Sequence, residues 1–137
     1  MCKTANTTVG CEPAAVGWAR RWTLRELISL YATLGEDALD IQTVVSELVT
    51  NALQAECRRL TLALDAHHSY VRIATSDDAR GEPVKQQPRA DQAHGRGLLI
   101  VDALSKRWGV ERDQHGKTVW AEIALADNPG AAFDCEH

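Results

Sequence analysis

Between residues 41 and 75 the spacing of apolar residues changes from 3.6 to 2, and this limits the fold more than any other feature. Ile41, Val44, Val45, Leu48 and Ala52 fall on one stripe when successive residues are turned by about 100°, the mark of a helix packed on a core. From Arg59 onward Leu60, Leu62 and Leu64 alternate with Thr61 and Ala63. After a turn at Asp65-Ala66-His67-His68, Val71, Ile73 and Thr75 alternate with Arg72, Ala74 and Ser76. A core-facing helix is thus followed directly by a strand pair with one covered face. Glu47 and Asn51 lie one turn apart at the edge of the helical stripe. A carboxylate and a carboxamide held there can serve a metal ion or a polar ligand, and the competing reading is an exposed pair sharing a surface.

The totals narrow the function. At 137 residues the chain fits one domain with a proper core, and a net charge of −4 argues against a general nucleic-acid binder. No apolar run approaches the length of a membrane span, and Met1-Cys2-Lys3-Thr4 lacks a signal-peptide core. The four cysteines, Cys2, Cys11, Cys57 and Cys135, show no C-x-x-C pair and no ligand-like spacing to a histidine. Free thiols in a reducing cytoplasm are expected, without structural zinc.

Along the chain, residues 1–12 read as a flexible arm or a weak edge strand, residues 13–125 as the folded domain and residues 126–137 as a loose tail. Pro13 suits a first helical turn, and Ala15, Trp18, Ala19, Trp22, Leu24, Leu27, Ile28 and Tyr31 continue a helix toward Leu34. The two tryptophans on it are read as core rather than as a docking face. Gly35 fits a helix stop, with the central helix starting near Glu36-Asp37. The adjacent His67 and His68 are assigned to an exposed turn.

Residues 77–94 form a long polar segment with two prolines, expected to be a functional lid or a solvated loop. The segment 79–94 carries Arg80, Lys85, Arg89 and His94 and is expected to be mobile without ligand. It ends at Gly95-Arg96-Gly97-Leu98, where a helix with Ile100, Val101, Leu104 and Trp108 on one face begins; glycines there let helical N–H groups approach an anion. A strand from Trp108 to Arg112, a turn from Asp113 to Gly116 and a last strand follow. In that strand Val119, Ala121, Ile123 and Leu125 alternate with Thr118, Trp120 and Glu122. Gly116-Lys117-Thr118 imitates the end of a P-loop, but Glu111 stands where that motif needs glycine, and a strand follows instead of a helix.

Taken in order, Glu47-x-x-x-Asn51 on a helix, Asp77 at a strand end, a long segment, Gly95-x-Gly97 opening a helix and Gly116-x-Thr118 entering a final strand resemble the GHKL ATPase superfamily. Within it the chain is similar to the stand-alone anti-sigma-factor serine kinases. The runs 44–53, 94–110 and 116–123 carry the likeness, which extends over about residues 13–125. One departure is the box Asp77-Asp78-Ala79-Arg80-Gly81, where D-x-G-x-G would have glycine in place of Ala79. The strand that opens many relatives is hard to find in residues 4–10. The chain offers no room for a separate phosphoacceptor helix, so a histidine kinase is not expected.

The resemblance implies an α/β fold of Bergerat type, a two-layer sandwich with helices on one face of a mixed, mainly antiparallel sheet. It implies ATP and Mg²⁺ as cofactors. Glu47 would be catalytic, orienting and deprotonating the attacking hydroxyl or water, and Asn51 would be the Mg²⁺ ligand. Asp77 would accept from the adenine amino group, with Thr118 supporting that carboxylate or a bridging water nearby, and Gly81 close to the base. Gly95, Arg96, Gly97 and Leu98 would offer backbone N–H groups to the phosphates. The implied partners are ATP or ADP, a sigma factor, an anti-sigma-factor antagonist as phosphoacceptor and a second copy of the chain; neither nucleic acid nor membrane is among them. The alternative reading is a non-catalytic nucleotide-binding module acting through protein contacts.

Overall fold

The structure, a computed structural model, describes residues 3–78, 98–125 and 133. Five strands form one sheet in the order β1-β2-β3-β5-β4: β1 Lys3–Val9, β2 Leu60–Ala66, β3 Tyr70–Asp77, β4 Arg107–Asp113 and β5 Gly116–Ala124. Every pairing is antiparallel among the described residues. Two long helices, α1 Ala15–Leu30 and α2 Glu36–Gln54, cover one face, with a short helical segment α3 at residues 98–104. This is the α/β arrangement expected from the sequence.

The covered face follows the period-2 pattern. Leu60, Leu62 and Leu64 of β2, Val71 and Ile73 of β3, and Val119, Ala121 and Ile123 of β5 are all buried. Against them α2 presents Ile41, Val44, Val45, Leu48, Val49 and Ala52, and α1 presents Ala19, Trp22 and Leu27. Fully burying one such aliphatic side chain is worth about 1.5–3 kcal/mol, so this interface rather than helix propensity holds the layers together. The division of labour is specific: α1 covers β1 and β2, and α2 lies over β3 and β5. A polar clasp joins the helices, with Arg20 Nη1 donating to Ser46 Oγ at 2.7 Å and Gln42 Nε2 donating to the Arg20 carbonyl at 3.2 Å.

Three sequence expectations change, and one open alternative is decided. Residues 3–9 are a true edge strand, in register with β2 from Lys3↔Ala66 to Val9↔Leu60. Only Val9 among them is buried, which explains why so little apolar alternation marks the strand. The first helix stops at Leu30, where Tyr31 turns extended (φ −126°, ψ 141°), and Gly35 is the cap residue that opens α2 rather than the stop of α1. Of the two tryptophans, Trp22 is core but Trp18 is 37% exposed, and Ile28 is 68% exposed. Finally, Cys11 and Cys57 are joined in a disulfide with Cα atoms 5.9 Å apart, so the free-thiol expectation fails for this pair. Cys2 and Cys135 lie outside the described residues.

Elsewhere Tyr31 links the end of α1 to the β2–β3 turn. The Tyr31 hydroxyl donates to the His67 carbonyl at 2.6 Å, and burial pushes its pKa well above the ordinary tyrosine value. Phe133 packs edge-on against Tyr31, with ring centroids 5.6 Å apart, and its carbonyl lies 3.0 Å from His68 Nε2. His67 stacks on Tyr70 at 4.2 Å in the β2–β3 turn.

Candidate functional site

The helix that carries the paired polar residues sits over the two central strands. Its first turn holds Glu36 and Asp37, favourable to the N-terminal dipole, and it ends at Gln54, with Glu56 at φ 61° in the turn that follows. Glu47 and Asn51 are half-buried beside the fully buried Val44 and Leu48. Among the described residues neither side chain is hydrogen-bonded or ion-paired, unlike Ser46 next to them, which is committed to Arg20 and Gln42. A carboxylate and an amide are therefore presented together at the margin of the core, open to a ligand.

Beneath this helix, β3 ends in Asp77, which is 6% exposed. Its parity is that of Val71, Ile73 and Thr75, all buried, so Asp77 belongs to the helix-covered face. Two features fix the backbone around it. Gly116 opens β5 at φ +148°, and a Cβ there would collide with the Asp77 carbonyl oxygen and lie 2.8 Å from the Asp78 Cα. Asp78 in turn accepts from the backbone N–H groups of Arg58 and Arg59 at 2.9 and 3.0 Å, while its own N–H donates to the Arg59 carbonyl at 3.3 Å. Those two N–H groups hold the exposed Asp78 carboxyl below its ordinary pKa. The α2–β2 connection, the end of β3 and the start of β5 are gathered at one point.

The expected partner of Asp77 is not where the sequence reading put it. Thr118 pairs with Ser76, and the two hydroxyls are 2.9 Å apart on the face of the sheet away from the helices. Thr118 is thus turned to the opposite side from the Asp77 carboxylate. The residue across from Asp77 is Lys117, half-buried, with Arg112 as its neighbour on β4. Burial lowers the Lys117 pKa, the Asp77 carboxylate opposes that shift, and Arg112 adds to it. Neither Lys117 nor Asp78 was singled out from the sequence. The parity of β5 held the signal for the first, because Lys117 is in phase with Val119, Ala121 and Ile123.

Of the residues expected to approach phosphates, Leu98 begins the described part of α3 and is half-buried. Gly81, Gly95, Arg96 and Gly97, and the segment 79–94, lie outside the described residues. α3 is anchored by buried Val101 and by Asp102, which accepts from the Trp108 indole N–H at 2.8 Å. The outer face of the sheet carries a separate cluster. Buried Glu122 meets Arg107 at 2.8 Å and Arg72 at 3.8 Å, and the Arg72 guanidinium lies 4.4 Å over the Trp120 ring.

The family model for histidine kinase-, DNA gyrase B- and HSP90-like ATPases matches residues 36–127, from the start of α2 to just beyond β5. The chain belongs to this ATPase family. Among solved structures, the fold is similar to that of a blue-light activated histidine kinase from Erythrobacter litoralis, with a TM-score of 0.57 and 22% identity. That likeness covers 82% of this chain and 41% of the kinase chain, so the present protein spans less than half of the larger one. A search among curated proteins gave no match. Membership in the ATPase family agrees with the architecture of helices over one face of an antiparallel sheet, and with the superfamily resemblance carried by the ordered motifs. No described helix is long and apolar enough to cross a membrane.

Proposed function

We propose that this ATPase-family domain binds ATP with Mg²⁺ and transfers the γ-phosphoryl group to a serine or threonine of a small antagonist protein, as an anti-sigma-factor-like kinase of the cytoplasm. The observation that supports this most is the half-buried pair of Glu47 and Asn51, one turn apart and uncommitted among the described residues, on the helix lying over the strand of buried Asp77. Phosphoryl transfer needs positioning and charge neutralisation more than a covalent group, and these residue types suit that need.

The residues present fit a magnesium ion that arrives with its nucleotide. Among the described residues no cluster of three His, Cys, Asp or Glu could hold a metal on its own. Mg²⁺ commonly takes one or two protein oxygens and completes its shell from phosphates and water, so the Asn51 amide oxygen would suffice. When bound, the ion neutralises charge on the phosphates. Glu47 would orient the attacking hydroxyl and take its proton, and Asp77 would accept from the adenine amino group. The backbone N–H groups at Gly95, Arg96, Gly97 and Leu98 would approach the phosphates, and Gly81 would lie near the base.

Two substitutions separate chemistry from binding. Glu47→Ala should keep nucleotide affinity within a few-fold and cut phosphoryl transfer by roughly 10²–10⁴. Asn51→Ala should also weaken the Mg²⁺-dependent part of binding. Equal loss of binding in both variants would favour the non-catalytic nucleotide-binding module. Affinity capture with and without ATP, followed by phosphosite mapping, tests for the sigma factor, the antagonist and a second copy of the chain; absence of any phosphorylated serine or threonine would remove the kinase assignment.

A further inference from the structure

The register of the sheet puts a lysine at the base end of this site. Asp77 and Lys117 are Cα partners in the β3–β5 pair, and Lys117 is also the partner of Arg112 on β4. Leu60, Asp77, Lys117 and Arg112 therefore form one row across the sheet on the helix-covered face. Side chains directly opposite in an antiparallel pair have Cβ atoms about 4.5–5.5 Å apart, so the Asp77 carboxylate and the Lys117 stem are neighbours. Asp77 is 6% exposed and Lys117 is half-buried. Burial and Arg112 both disfavour the charge on Lys117, and only the carboxylate favours it. This is a donor held beside an acceptor, not a solvated surface charge.

An acceptor and a donor side by side match one purine edge. Adenine offers its exocyclic amino hydrogens and, adjacent to them, the acceptor nitrogen N1. Hypoxanthine and guanine reverse both signs: a carbonyl oxygen would face the carboxylate, and an N–H would face the ammonium. We propose that Lys117 is a specificity-determining residue of the nucleotide site, donating to adenine N1 while Asp77 accepts from the adjacent amino group. The inference rests on the adenine-nucleotide reading above and deepens it by assigning the second half of base recognition to a side chain outside the sequence motif. Thr118 does not compete for the role, because it faces away with Ser76.

The test compares ATP with 1-deaza-ATP, which has C–H in place of N1, and with ITP, by titration calorimetry on the full chain. Wild type should bind ATP about ten- to a hundred-fold more tightly than 1-deaza-ATP, the usual weight of one hydrogen bond to a charged donor. Lys117→Met should weaken ATP by a similar factor and bind ATP and 1-deaza-ATP alike, while Lys117→Arg, which keeps a cationic donor, should recover at least part of the preference. A lysine serving only as a structural counter-ion of Asp77 would weaken both nucleotides equally and leave their ratio unchanged. Equal wild-type affinities for ATP and 1-deaza-ATP, or a preference that survives in a folded Lys117→Met variant, would overturn this inference and leave nucleotide binding standing. Failure of the wild-type protein to bind ATP at all would overturn the adenine-nucleotide reading, and this inference with it.

Discussion

Gly116 is packed so closely under Asp77 that a single methyl group would not fit. Its φ of +148° is a conformation that side-chain-bearing residues rarely adopt, and the carbonyl oxygen of Asp77 occupies the space a Cβ would need. The turn into β5 therefore determines how the end of β3 is held, and with it the direction of the Asp77 carboxylate.

Gly116→Ala should consequently be costly in two ways, through the strained dihedral and through the clash with backbone. Together these amount to about 2–4 kcal/mol, or roughly 7–14 °C in Tm for a domain of this size. Nucleotide-induced stabilisation should fall as well, because Asp77 must shift. A thermal melt of the variant within 2 °C of wild type would show that the turn can relax and that Gly116 does not fix the site.

Much of this fold is legible in the sequence. The stripe from Ile41 to Ala52 and the alternation through Leu60–Leu64 and Val71–Thr75 specify buried faces, and all of those leucines, valines and isoleucines are buried. Residues 3–9 were hard to read for a physical reason. An edge strand over the margin of the core needs few apolar side chains, and its pairing comes from the ladder offered by β2, which lies more than fifty residues later in the chain. The Cys11–Cys57 bridge was hidden in the same way, since the two cysteines lie 46 residues apart and meet only when the β1–α1 and α2–β2 connections come together.

Reducing that bridge should destabilise the domain. In the chain-entropy account a closed loop of 46 residues contributes about 4 kcal/mol, and strain or residual structure usually trims this toward 2. Melts with and without a dithiol reductant should differ by roughly 7–14 °C, and Cys57→Ser should mimic the reduced protein without further response to reductant at this pair. Peptide mapping under non-reducing conditions that found Cys11 and Cys57 as separate thiols would remove the bridge altogether.

The site was legible to a different depth on each element. On α2 the helical angle sufficed, because it set Glu47 and Asn51 at the stripe's margin, where they are half-buried. On β5 the motif Gly116-x-Thr118 drew attention to the threonine, while the strand's own parity pointed to the lysine. Thr118 shares a face with Trp120 and Glu122, and Lys117 with Val119, Ala121 and Ile123. A motif position says which residue types recur; only the period of a strand says which side they face.

Thr118→Val provides a direct check of that parity. It removes an exposed hydroxyl–hydroxyl bond to Ser76, worth at most about 1 kcal/mol. Since the side chain lies across the sheet from Asp77, ATP affinity should stay within two-fold of wild type. A ten-fold loss of affinity in a variant with unchanged Tm would return Thr118 to the base-binding set and contradict the assignment of the sheet's faces.

The remaining prediction follows from Asp78, which anchors the end of β3 to the backbone of Arg58 and Arg59. Those N–H groups favour the ionised carboxylate, so the folded-state pKa lies below the unfolded one. For a depressed carboxyl pKa the stabilisation is fully present above the unfolded value, and it is lost as pH falls through the folded value. Asp78→Ala should therefore lower the urea midpoint at pH 7 by removing an acceptor shared by two N–H groups. The gap between variant and wild type should hold down to about pH 4, near the ordinary carboxyl pKa, and then narrow as the wild-type carboxylate takes up its proton. Because the anchored backbone runs directly into Asp77, the same variant should weaken ATP binding at neutral pH. Urea titrations at pH 7, 4 and 2.5 would read the dependence. A gap unchanged at pH 2.5 would mean that Asp78 acts through its shape rather than its charge, and the ion-to-backbone clamp would have to be given up.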